Sequence, residues 1–87
     1  MKKKSFIAQN NQILRKESSL ASGDHILAYG ELSACNEKAL NRFPSALQSN
    51  FESIYGKDLN RSPREVYESI NKVMNSDKVL SKNCSLI

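Results

Sequence analysis

Ser62-Pro63-Arg64-Glu65-Val66-Tyr67-Glu68-Ser69-Ile70-Asn71-Lys72-Val73-Met74 decides the fold class. Ser62 is a helix N-cap, and Pro63 suits the first helical position, where no N–H is needed. Glu65 reaches back three residues to complete a capping box. Val66, Tyr67, Ile70, Val73 and Met74 then recur at helical spacing and define one inward face.

The same period runs through the rest of the 87 residues. From about Ser5 to Ala21, apolar pairs recur every seven residues at Phe6-Ile7, Ile13-Leu14 and Leu20-Ala21. Asn10 and Asn11 weaken that helix, and Gly23 is expected to supply its left-handed stop. Asp24 is expected to cap a second helix with a stripe of Ala28, Leu32, Cys35, Ala39 and Phe43. Pro44 is expected to end it and to open a third, faced by Leu47, Phe51, Ile54 and Tyr55 and stopped by Gly56. The helix from Pro63 is the fourth, and Asn75-Ser76-Asp77 breaks it. Three Gly and two Pro are too few turn formers for a many-stranded sheet. The expectation is an all-α fold, a small compact bundle of about four amphipathic helices with short loops. One domain spans 1–87, with a frayed basic arm over about 1–5 and a flexible tail over about 81–87.

The longest apolar run is Ile26 to Tyr29, far short of a membrane span. The basic start has only Phe6-Ile7-Ala8 behind it, too little for a signal peptide. A chain of this kind is expected in the cytoplasm, with Cys35 and Cys84 as thiols. Net charge is +4, and residues 1 to 16 hold five basic residues and no acid. Such an arm can touch phosphates or an anionic surface, but more often a short Lys run simply keeps a terminus solvated.

Convergent catalytic groups are not legible. The one histidine, His25, follows Asp24, but neighbours on a helix diverge and make no relay. Cys35 lies on an apolar stripe, and His25, Cys35 and Cys84 lack zinc-ligand spacing. No enzyme activity, cofactor, metal or small-molecule substrate is expected.

Three binding readings follow. The first is a protein-protein interaction module, binding another protein or itself as a homodimer. Its patch would be Ile26, Leu27, Leu59, Val79 and Leu80, apolar residues off the main stripes. The second is a nucleic-acid binder using Lys2, Lys3 and Lys4 with Arg64, Asn71 and Lys72 of the fourth helix. The last two helices have the outline of a loose helix-turn-helix, but the connection over 57–62 is long for that motif. The expected ion pairs Arg61–Glu65, Arg64–Glu68 and Glu68–Lys72 would neutralise the reading face. The third is a peripheral membrane protein prenylated at Cys84, since Cys84-Ser85-Leu86-Ile87 fits a lipidation box behind Lys78 and Lys82.

Overall fold

A computed structural model describes residues 2–87. The fold is a small all-α bundle of six helices, four of them seven residues or longer. They are α1 (Lys2–Leu20), α2 (Asp24–Leu32), α3 (Glu37–Ser49), α4 (Phe51–Tyr55), α5 (Pro63–Ser76) and α6 (Lys78–Asn83).

The capping box at α5 forms as its sequence dictates. Ser62 Oγ accepts from the Glu65 N–H, and Glu65 Oε1 accepts from the Ser62 N–H at 3.0 Å. Val66, Ile70, Val73 and Met74 are buried. α1 bends at Asn10, whose backbone leaves helical geometry at φ −126° while its side-chain amide donates to the Phe6 carbonyl. Residues 2 to 4 form its first turn rather than a frayed arm.

Two boundaries differ from expectation for the same reason. Ala21 and Ala34 both sit at positive φ, 54° and 55°. At each, the last turn closes in a Schellman pattern: Ser22 and Ala21 donate to Glu17 and Ser18, and Cys35 and Ala34 donate to Gly30 and Glu31. Alanine does here what glycine usually does. The first stop is therefore Ala21, not Gly23, and the long second helix is two. α3 restarts under a new cap, with Asn36 Oδ1 accepting from the Ala39 N–H. Pro44 lies inside α3 instead of ending it. Asn50 (φ −111°, ψ 20°) then separates α3 from α4, and Gly56 stops α4.

The core lies where α1, α2, α3 and α5 meet. Ile7, Leu14, Ile26, Phe43, Leu47, Ile54 and Ile70 are fully buried. Tyr29 stacks on Phe43 with ring centres 6.0 Å apart and tilts against Phe6 at 6.1 Å. Gly30 brings α2 against α3, because a Cβ there would stand 2.7 Å from Leu40 Cδ2.

The C-terminal segment, expected as a flexible tail over about 81–87, folds back on the bundle. Asp77 caps α6, accepting from the Val79 and Leu80 N–H groups, and is itself gripped by Arg42. Beyond α6 the chain runs antiparallel to residues 33–36. Asn36 donates to the Asn83 carbonyl, Ser85 to Ala34 and Leu86 to Ser33. Between these bonds Cys35 and Cys84 face each other with Cα atoms 3.9 Å apart and form a disulfide. The expectation of two thiols is thus corrected. They lie 49 positions apart in the sequence, and the return of α6 brings them together.

Candidate binding cleft

The short antiparallel pairing places Leu86 and Ile87 beside the beginning of α1 and the end of α2. Lys2, Lys3, Leu32, Tyr67, Leu86 and Ile87 line a cleft of about 300 Å³ there. Its walls are mostly apolar. Its base carries a charge: Lys3 is only 6% exposed, and its Nζ donates to the Leu86 carbonyl at 2.7 Å. The ammonium also lies 5.3 Å from the centre of the Tyr29 ring and 5.8 Å from that of Tyr67. Lys4 Nζ also lies over the Tyr67 ring, at 5.3 Å from its centre.

Cation-π contacts offset part of the cost of desolvating an ammonium, but not all of it. Among the described residues no carboxylate forms a salt bridge with Lys3. Burial accordingly lowers the Lys3 ammonium below its ordinary pKa. Leu86 takes one of its three N–H bonds, and among the described residues no second oxygen or nitrogen partner accompanies it. The cleft thus combines an oily wall with a partly satisfied buried cation.

A second polar centre lies at the α1–α2 corner. Glu17 Oε1 accepts from the His25 and Ile26 N–H groups at 2.8 and 3.0 Å, and Oε2 lies 2.8 Å from His25 Nδ1. Glu17 does from another helix what Asp24 was expected to do, and it is the partner of His25 that local sequence does not suggest. Gly23 makes room for it: a Cβ on Gly23 would overlap the Glu17 carboxylate. Burial works against the charge on Glu17. The bonds from Ile26 and His25 outweigh it and hold the carboxyl below its usual range. Glu17 thus caps the start of α2 and holds the His25 ring at the same time.

The residues expected to contact nucleic acid are divided by the fold. Lys2, Lys3 and Lys4 gather at the cleft beside Tyr67. Arg64 is exposed and pairs with Glu68 at 3.5 Å. Lys72 instead lines a separate polar hollow with Asn50, Ser53, Arg61, Ser69 and Ser76. Arg61 does not pair with Glu65 in a salt bridge; it donates to the Ser53 carbonyl and Ser69 Oγ. Asn71 is half-buried, and its side-chain oxygen has no partner among the described residues.

The expected apolar patch is corrected. Ile26 and Leu80 are fully buried and Val79 half-buried, while Leu27 and Leu59 are exposed on separate segments. Cys84 is corrected as well. It is buried and bonded to Cys35, so it has no thiolate to offer an isoprenoid.

Comparison with known families adds one finding. The model of a family described as "Protein of unknown function (DUF3015)" matches residues 1–84. The chain belongs to that family. The match includes both disulfide cysteines, Lys3, Leu32 and Tyr67, and ends before Leu86 and Ile87. No curated protein and no solved structure matches the chain. Among the described residues, no helix is long and apolar enough to cross a membrane.

Proposed function

We propose that the chain is a binding module held in shape by the Cys35–Cys84 disulfide, and that its binding face is the cleft around Lys3. The observation that carries this reading is the pairing of a mostly apolar wall with a buried ammonium that has no acidic partner among the described residues. Binding pockets are typically apolar hollows with a few polar anchors, and this one lies at the small end of their size range. The disulfide supports an oxidising compartment in place of the cytoplasm, since thiols are kept reduced there.

A neutral probe tests the location of the face. Benzyl alcohol titrated into isotopically labelled protein should shift amide resonances at residues 2–4, 32, 67 and 85–87 first. Shifts spread evenly over the surface, or centred elsewhere, contradict the reading.

A second reading keeps the interaction with another copy of the chain. On α1, Leu20 is 62% exposed and Ile13 40% exposed, and they lie seven residues apart on one face. Sedimentation at several concentrations decides it: a dimer that Leu20→Asp converts to monomer supports self-association, and a monomer at every concentration excludes it.

A further inference from the structure

We propose that the cleft takes a small aliphatic carboxylate, its chain lying against Leu32, Tyr67, Leu86 and Ile87 and its anionic end meeting Lys3. This rests on the reading of the cleft as the binding face and adds the chemical class of the ligand.

Three observations support an anion at one end and a hydrocarbon at the other. The side chains that line the cleft are either basic or apolar, apart from the Tyr67 ring. Lys2, Lys3 and Lys4 all lie on the first turn of α1, and no acid interrupts residues 1 to 16. Lys3 spends one N–H on Leu86 and faces two aromatic rings with the remainder. A carboxylate arriving there forms a charge-assisted hydrogen bond to Lys3 that no acid among the described residues supplies. It also offsets the burial that weighs against the charge on the ammonium.

The volume sets the length of the chain. At roughly 30 Å³ per water-sized or methylene-sized group, about ten such groups fill the cleft. Octanoate has that size. Acetate leaves the apolar wall empty, and a long fatty acid protrudes into solvent.

The carboxylate reading also assigns a role to the disulfide. Leu86 supplies both part of the wall and the carbonyl that positions Lys3 Nζ. It is held there by the bond from its own N–H to Ser33, next to the Cys35–Cys84 link. The site is complete only while the C-terminal segment is clamped.

The test is calorimetric titration of the oxidised full chain at neutral pH with octanoate, octanol and octylammonium. The expected result is saturable one-to-one binding of octanoate, weaker binding of octanol by about tenfold or more, and no octylammonium binding. Lys3→Met, which keeps the apolar stem, should melt as a folded protein and lose about tenfold or more in octanoate affinity. On the unmutated protein, the Lys3 ¹³Cε resonance should move as octanoate is added. Equal binding of octanoate and octanol overturns the carboxylate while leaving the cleft as a binding face. Silence from both overturns the ligand class, and benzyl alcohol shifts outside the cleft in the preceding experiment overturn the face itself. An unmoved Lys3 resonance, or full octanoate affinity in Lys3→Met, overturns the role given to Lys3.

Discussion

Tyr29 and Tyr55 are both buried, yet their hydroxyls differ. Tyr55 Oη lies 2.9 Å from Ser18 Oγ, which in turn donates to the Leu14 carbonyl. Tyr29 Oη has no partner among the described residues. Burial raises both phenols, Tyr55 to about 12. An unpaired buried hydroxyl costs about 1–3 kcal/mol, whereas a paired one contributes about 1. Tyr29→Phe should therefore raise the unfolding free energy by about 1 kcal/mol or more, and Tyr55→Phe should lower it by about 1 kcal/mol. Urea unfolding of the two variants checks the opposite signs. Glu17 gives a pH dependence. Its carboxyl is held below the usual range in the folded state, and so is that of Asp77, where burial is outweighed by Arg42 and the α6 N–H groups. A depressed carboxyl stabilises the fold above its unfolded value, and that stability is lost as pH falls through the folded value. Thermal melts should thus decline as pH drops below about 4.3, the ordinary carboxyl range. Glu17→Gln should flatten that decline and cost about 1–3 kcal/mol at neutral pH. A Glu17→Gln profile parallel to the parent contradicts the assignment. Glu17 itself was not legible as a site residue, because its partners lie eight and nine positions away across a turn set by Ala21.

At the scale of elements, α5 was legible because every local signal agreed: cap, proline, returning glutamate and apolar period. Ser62→Ala should lower stability by about 1 kcal/mol. The break over 33–36 was hidden for two reasons. The stripe Leu32, Cys35, Ala39 and Phe43 keeps helical spacing straight across it. Its stop is made by Ala34, a residue that normally favours helix. An L-residue in left-handed geometry costs about 1–2 kcal/mol relative to glycine. Ala34→Gly should consequently raise stability by about 1 kcal/mol, less a share lost to the freer unfolded chain. Thermal denaturation showing a loss instead would contradict the left-handed stop. Pro44 misled in the other direction. Its fixed φ is compatible with helix, and its cost is a missing bond and a crowded carbonyl in the turn before, which the buried neighbours Phe43, Ala46 and Leu47 outweigh by packing.

At the scale of the molecule, the bundle was readable and its closure was not. Periodicity reports which face of a helix is oily, but says nothing about which distant residues meet. Cys35 and Cys84 are each ordinary in their local sequence, and the return of α6 makes them a pair. The same return turns Leu86 and Ile87 from a tail into a wall and buries Lys3. Closing a loop of 49 residues stabilises a fold by about 4 kcal/mol in the chain-entropy model. That is a large share of the stability of a domain this small. The double variant Cys35→Ala, Cys84→Ala should lose about that amount in denaturant unfolding, and it should lose octanoate binding more steeply than overall fold.

Thiol labelling tests the closure most directly. Protein secreted into an oxidising compartment is unfolded in denaturant with iodoacetamide, with and without prior reduction, and its intact mass is measured. The account predicts no adduct without reduction and adducts on both cysteines after it. Full labelling of Cys35 and Cys84 without reduction would contradict the disulfide, and with it the clamped wall on which the cleft depends.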